Sequence, residues 1–142
     1  MTKTKRKIFI IEDDDFLLEM YSTKFGASSD FEVEMAKSGE EALERLRGGF
    51  KPEVIMFDIV MPGIDGFEMF ARIKEEELAS GAICIAISNL GQKEDIERML
   101  KLGADDYIIK AHFTPTEIMN KVNDLISRKK IHPVKSGRNL TG

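Results

Sequence analysis

Five polar residues that could do chemistry stand at, or just after, the ends of short apolar runs. They are Glu12, Asp13, Asp58, Ser88 and Lys110. An unbroken apolar run of strand-forming residues is typical of a β-strand that is covered on both faces, as in a parallel sheet. Open sheets of this kind place their functional residues at the carboxyl ends of the strands, which share one edge. We therefore expect three carboxylates, a hydroxyl and an amine to meet at that edge.

This combination of groups suits a phosphoryl group bound beside a metal ion. Three neighbouring carboxylates repel one another, so they need a cation to stay ionised near neutral pH. Oxygen ligands in small number, with room for water, favour Mg²⁺ over a calcium site made of protein alone. The amine of Lys110 and the hydroxyl of Ser88 could bind the oxygens of a tetrahedral dianion. Asp58 could then act as a nucleophile and form an acyl phosphate.

The rest of the sequence supplies five strand–helix units in strict alternation. Apolar runs predict strands over 8–11, 31–35, 54–57, 83–87 and 107–109. Helices are expected over 15–25, 40–47 and 66–78, after the loop 89–93, and after the capping sequence that begins at Thr114. Phe16 belongs to the helical spacing of the first helix, and Leu100 is expected to face inward from the fourth. The alternation predicts an α/β fold with a doubly wound, five-stranded parallel sheet and helices on both faces.

Composition and charge limit the classes of protein to which the chain can belong. It has 142 residues, a net charge of −4 and one cysteine. It contains neither an apolar run long enough to cross a membrane nor the pattern of a signal peptide, and a lone cysteine excludes a disulfide framework; together these favour the cytoplasm. We expect one domain over 1–127 and a basic, flexible tail over 128–142, which carries five cations and no acid. The acidic body argues against direct nucleic-acid binding.

Four segments of the chain resemble the receiver domains of two-component response regulators. They are 10–14 (IIEDD), 57–66 (FDIVMPGIDG), 87–88 (IS) and 103–110 (GADDYIIK). The spacing also matches over roughly residues 5–127, since 45 residues separate Asp13 from Asp58, 30 separate Asp58 from Ser88, and 22 separate Ser88 from Lys110. The resemblance implies a flavodoxin-like sheet with the strand order 2-1-3-4-5.

The resemblance also implies a role for each matching position of the metal and phosphoryl site. Asp58 would accept a phosphoryl group from a phosphohistidine on a sensor histidine kinase or a histidine phosphotransfer protein. Asp13 and Asp58 would bind Mg²⁺ through their carboxylates, with the backbone carbonyl of Val60 as a further ligand and Glu12 holding metal-bound water. Lys110 would pair with Asp58 before phosphorylation and with the phosphate afterwards.

The same resemblance implies how the site signals. Ser88 would bond to the new phosphoryl group and move toward it, and Tyr107 would turn inward as Ser88 moves. The affected surface is formed by the fourth helix, the fifth strand and the fifth helix, where a downstream protein or a second, phosphorylated copy would bind. The chain would be a signalling module and not an enzyme, apart from its own phosphotransfer and dephosphorylation. No effector domain is expected after the fifth helix, so it would be a stand-alone receiver or part of a longer protein.

Two of the positions that depart from the family pattern leave another function open. Asn89 follows the switch serine, where the family usually has alanine or glycine, and Ala111 follows Lys110, where the family usually has proline. If these changes disable the site, the chain would be a receiver-like adaptor that signals by binding without phosphorylation. A flavodoxin-like nucleotide or flavin binder is disfavoured, because Glu12 and Asp13 would repel a phosphate after the first strand.

Overall fold

The computed structural model describes residues 4–131, and its centre is a five-stranded sheet. The strands are β1 (Arg6–Ile11), β2 (Phe31–Ala36), β3 (Val54–Phe57), β4 (Ile83–Ser88) and β5 (Asp106–Ile109). The sheet has the order β2-β1-β3-β4-β5, and every neighbouring pair is parallel. The doubly wound fold and the strand order expected from the sequence are confirmed.

Five helices connect the strands. They are α1 (Asp15–Gly26), α2 (Gly39–Arg47), α3 (Gly66–Glu75), α4 (Lys93–Leu102) and α5 (Pro115–Ile131), with a short 3-10 turn, Lys110–His112, between β5 and α5. The first amides of α1, α2 and α3 are capped by the side chains of Asp14, Ser38 and Asp65. Thr114 and Glu117 cap α5 reciprocally, each side chain accepting the other residue's N–H. None of these helices, all between residues 4 and 131, combines the length and apolar character needed to span a membrane.

Burial explains the pattern of each strand. β3 and β4 lie inside the sheet and are buried at every residue, which accounts for their unbroken apolar sequences. β2 lies at the edge, where Glu32 and Met35 are exposed while Phe31 and Ala36 are buried. An edge strand has one wetter face, so its sequence can alternate between apolar and acidic residues.

Two apolar cores lie on opposite faces of the sheet. The α1–α5 core contains Leu18, Tyr21 and Phe25 of α1 with Ile118, Val122 and Ile126 of α5. The α2–α3–α4 core contains Leu43 and Leu46 of α2, Phe67 and Phe70 of α3, and Met99 of α4. Successive residues of a strand point to opposite faces, so Tyr107 of β5 packs on the α2–α3–α4 core while Ile108 is buried in the α1–α5 core.

Two apolar residues that belong to the predicted helices are exposed. Phe16 of α1 is 73% exposed, and Leu100 of α4 is 44% exposed. Successive helix positions differ by about 100°, which places Phe16 opposite the stripe formed by Tyr21 and Phe25. The buried residue of α4 is Met99, whose immediate neighbour Leu100 is turned toward solvent. The expectation that Leu100 faces inward was wrong.

Two helix ends also differ from the sequence-based bounds. α3 ends at Glu75, three residues before the expected end, and α5 continues through Ile131, beyond the domain boundary expected at 127. Lys129 helps to explain the longer α5, because its Nζ donates to the carbonyls of Gly81 and Ala82 at 2.8 and 3.4 Å. The remaining residues of the expected tail, 132–142, lie outside the described part of the chain.

Glu77 ends α3 in a conformation that normally favours glycine. Its φ is 55°, and the N–H groups of Glu77 and Leu78 donate to the carbonyls of Lys74 and Ile73 at 3.2 and 2.9 Å. This is the Schellman pattern, in which the left-handed residue is usually glycine. Gly103 occupies the corresponding position after α4, with a φ of 115°.

We expect Glu77→Gly to raise the free energy of unfolding by about 0.5–1 kcal/mol, because glycine carries no steric cost in the left-handed region. Urea unfolding followed by circular dichroism measures this difference. Gly103→Ala is the matched control and should destabilise the protein by a similar or larger amount. Equal stability of wild type and Glu77→Gly would show that Glu77 is not strained.

Candidate functional site

Four strands bring the candidate residues to one edge of the sheet. Glu12 follows β1, Asp58 follows β3, Ser88 is the last residue of β4, and Lys110 follows β5. The strands are parallel and paired in register up to these ends. The four strand ends therefore bring these residues to the same edge of the sheet.

Three carboxylates form a compact oxygen cluster at this edge. Glu12, Asp13 and Asp58 each offer an oxygen, and these oxygens lie within 4.8 Å of one another. Glu12 and Asp58 are 1% and 5% exposed, while Asp13 is half-buried. A small set of hard oxygen donors with one side open to water is the chemistry that Mg²⁺ prefers. The residues present fit the ion expected from the sequence.

Lys110 compensates the charge of the two buried acids. Its Nζ lies 2.7 Å from Glu12 Oε1 and 3.1 Å from Asp58 Oδ2. The side chain of Lys110 is only 10% exposed, so these ion pairs are screened little by water. The contact with Asp58 was expected from the sequence, whereas the shorter contact with Glu12 was not.

The environment changes the pKa values of both partners. Burial, with some repulsion from Asp58, raises the pKa of Glu12 to about 7, against the opposing effect of the hydrogen bond from Lys110. Burial alone would lower the pKa of Lys110, but the contacts with Glu12 and Asp58 outweigh it, so the pKa is raised. Lys110 is therefore an ammonium at neutral pH, fixed beside the carboxylate of Asp58.

The carboxylate and backbone of Asp58 are both held in place. Asp58 Oδ1 accepts the N–H of Ile59 at 2.7 Å. The N–H of Gly66, at the start of α3, donates to the Ile59 carbonyl at 2.7 Å, and a Cβ on Gly66 would lie 2.5 Å from the carbonyl oxygen of Asp58. Glycine at 66 thus allows α3 to begin directly against the loop that carries Asp58.

Ser88 and Tyr107 both contact Leu90, which lies in the loop that follows β4. Ser88 is fully buried, and its Oγ accepts the N–H of Leu90 at 3.1 Å. The hydroxyl of Tyr107 donates to the carbonyl of Leu90 at 2.6 Å. Burial raises the pKa of Tyr107, so the phenol stays protonated and able to donate. The two residues expected to form a switch are connected through Leu90.

The remaining positions singled out in the sequence lie around this centre. Val60, two residues after Asp58, is 60% exposed. The Lys110–Ala111 peptide is trans, and there is no cis peptide among the described residues. Asn89 Oδ1 accepts the N–H of Ala111 at 3.1 Å. Asn89 and Ala111 were both singled out from the sequence, but their contact was not predicted. The available signal was that each directly follows a site residue, Ser88 or Lys110, at the end of neighbouring strands.

Comparisons with known proteins agree with this geometry. A family model described as the response regulator receiver domain matches residues 8–123. The chemotaxis protein CheY of Halobacterium salinarum is 31% identical over 123 residues, which cover 86% of this chain and 98% of that protein. The phosphate regulon transcriptional regulatory protein PhoB of Rhizobium meliloti is 31% identical over 124 residues, covering 87% of this chain and 53% of that protein.

A solved structure of a protein with a related sequence has the same fold. The crystal structure of a CheY-like response regulator receiver domain protein from Methanospirillum hungatei superposes with a TM-score of 0.81 at 25% identity, covering 91% of this chain and 99% of that one. The chain spans nearly all of the haloarchaeal chemotaxis protein but about half the length of the transcriptional regulator. The chain therefore belongs to the response regulator receiver domain family of two-component signalling.

Proposed function

We propose that this chain is a phosphoacceptor module, in which Asp58 receives a phosphoryl group from a phosphohistidine on a sensor histidine kinase or a histidine phosphotransfer protein. The observation that carries the proposal is the position of Lys110 Nζ, 2.7 Å from Glu12 and 3.1 Å from Asp58. An ammonium held by two buried carboxylates stands ready to bind the oxygens of an incoming phosphoryl group.

The chemistry consists mainly of positioning and charge neutralisation. A carboxylate oxygen of Asp58 attacks the phosphorus atom, the bond from phosphorus to the donor imidazole nitrogen breaks, and its electron pair remains on the imidazole. Lys110 neutralises charge on the phosphoryl oxygens. Asp13, Asp58 and the backbone carbonyl of Val60 would hold Mg²⁺, with Glu12 holding metal-bound water, and the ion would supply further charge neutralisation.

Ser88 and Tyr107 would carry the change away from Asp58. The hydroxyl of Ser88 would donate to a phosphoryl oxygen and move toward it. The carbonyl of Leu90 is bonded to Tyr107 and its N–H to Ser88, so a movement of Ser88 would act on both bonds. Tyr107 lies on β5, next to α4, and the surface of α4, β5 and α5 is where a downstream protein or a second copy would bind.

The test is phosphorylation by a small donor. With Mg²⁺ and acetyl phosphate, we expect the wild-type protein to gain the mass of one phosphoryl group, and Asp58→Asn to gain none. The asparagine keeps the shape of the side chain but is not a nucleophilic carboxylate. Intact-mass spectrometry measures the gain, and circular dichroism checks that the variant is folded.

Two other outcomes would contradict the proposal in different ways. A wild-type protein that gains no mass and does not respond to beryllofluoride would favour the receiver-like adaptor. Equal mass gain by Asp58→Asn would place the acceptor at another residue. Omission of Mg²⁺ is the further control, because the proposed reaction needs a cation among the three carboxylates.

A further inference from the structure

A single hydrogen bond joins the two segments that leave β4 and β5. Asn89, directly after Ser88, accepts the backbone N–H of Ala111, directly after Lys110, with 3.1 Å between Oδ1 and N. Ser88 and Ile109 are the last paired residues of the two strands. The Asn89 side chain thus extends the connection between the strands one step beyond the ladder.

The backbone around Ala111 explains why this bond forms. Ala111 lies in the 3-10 turn Lys110–His112, and the residue before that turn provides no side-chain cap. The first N–H groups of a helical turn have no partner within the turn. Asn89 supplies the missing acceptor from the neighbouring strand. The bond needs an N–H at position 111, which proline would not have.

The loop after β4 is fastened at successive residues. Asn89 is bonded to Ala111, and the carbonyl of Leu90 is bonded to the hydroxyl of Tyr107 at 2.6 Å. The N–H of Leu90 donates to Ser88 Oγ at 3.1 Å. Ser88 therefore begins a loop in which the next two residues, Asn89 and Leu90, are hydrogen-bonded to residues of β5 or of the turn that follows it.

The residues before and after Lys110 are both bound by the end of β4 and the residue that follows it. Ile109 before it pairs with Ser88, and Ala111 after it is bonded to Asn89. From this fixed backbone the ammonium of Lys110 reaches Glu12 and Asp58. A change in the Asn89–Ala111 contact would consequently act on the backbone from which the ammonium extends.

We infer that Asn89 is a positioning residue, which acts through the N–H of Ala111 to hold Lys110 against Asp58 and to make Ser88 and Lys110 move together. The inference rests on the proposed function of Asp58. It differs from a simple steric role, in which the side chain at 89 only narrows the approach to Asp58. The two roles predict opposite effects of a smaller side chain.

The deciding measurement is the rate of phosphorylation by acetyl phosphate in Asn89→Ala and Asn89→Leu. Alanine opens the approach, whereas leucine keeps the volume, and both remove the acceptor. We expect both variants to react about 3- to 10-fold more slowly than wild type, in keeping with the loss of one hydrogen bond.

A control variant and an opposite result make the test decisive. Gln92→Ala changes the same loop at a residue whose side chain makes no capping bond, and it should react like wild type. Faster phosphorylation of Asn89→Ala with slower phosphorylation of Asn89→Leu would overturn the inference in favour of the steric role. Wild-type rates in both variants would also overturn it.

The amide of Ala111 gives a readout that does not depend on phosphorylation. In NMR spectra of the unphosphorylated protein, we expect its proton to exchange more slowly with solvent in wild type than in Asn89→Leu, and to stay protected in Asn89→Asp, which keeps the acceptor. Equal exchange in all three would overturn the inference. If the wild type did not phosphorylate at all, the proposed function would fail while this measurement still reported on the bond.

Discussion

Replacing Lys110 with methionine is expected to lower the free energy of unfolding by about 3–5 kcal/mol in the absence of Mg²⁺, because two buried carboxylates would lose their only shared cation among the described residues. Glu12 and Asp58 are 1% and 8% exposed at their side chains, so water would compensate the loss of the ammonium only in part. Glu12, whose pKa burial already raises to about 7, would also lose the hydrogen bond that lowers it.

The same substitution should slow phosphorylation of Asp58 by at least about 100-fold, a loss typical of removing one group that stabilises charge in a transition state. Urea unfolding and intact-mass measurements with acetyl phosphate test the two parts separately. Mg²⁺ should restore part of the stability of Lys110→Met, because the ion would be held by the same carboxylates.

Lys93→Met is the matched control for the loss of a lysine. Its side chain is 83% exposed and its ammonium lies 3.9 Å from Glu97, so the change in stability should stay within about 0.5 kcal/mol. Wild-type stability of Lys110→Met without Mg²⁺ would show that the two acids do not need the ammonium, and would count against its role at the site.

Gly66→Ala is expected to disturb the site through the backbone. A Cβ at 66 would lie 2.5 Å from the carbonyl oxygen of Asp58 and 2.7 Å from the Cα of Ile59. Both contacts are with main-chain atoms, which cannot rotate away as a side chain can. We expect a loss of about 3 kcal/mol in stability, at the upper end for overpacking, together with slower phosphorylation as Asp58 is displaced.

Gly26→Ala is the control for this substitution. Gly26 is the last residue of α1, and a Cβ there would meet only a methyl group of Val33 at 4.0 Å. Alanine is the better helix former by about 1 kcal/mol, so this variant should be as stable as wild type or more stable. If both alanine variants behaved alike, the close approach at Gly66 would not matter. Thermal unfolding and the acetyl phosphate reaction compare the two.

The fold was predictable because the strands carry a simple signal. The runs that end at Phe57 and Ser88 are buried along their whole length, and such unbroken apolar runs are typical of interior strands of a parallel sheet. Once the strands were placed, their carboxyl ends had to share an edge, which brought Asp58 and Lys110 together. The convergence of the site therefore depended on topology more than on side-chain detail.

The sequence could not predict which side of a helix the sheet covers, or which distant groups a long side chain contacts. The exposure of Phe16 and Leu100 depends on which side of a short helix the sheet covers, and an apolar residue type does not decide that. Lys110 can reach both Glu12 and Asp58 because its chain is long and flexible. The contact that accompanies the longer α5 joins Lys129 to carbonyls in a loop far away in sequence.

The sheet separates the two apolar cores, so a change in one side chain of β5 affects the packing of only one of them. Tyr107 packs on the α2–α3–α4 core, whereas its neighbour Ile108 is buried in the α1–α5 core. A rearrangement of the Tyr107 ring would change the packing of the α2–α3–α4 core and leave the α1–α5 core unchanged. Such a receiver would change the shape it presents to partners at α4 without loosening the helices that keep it folded.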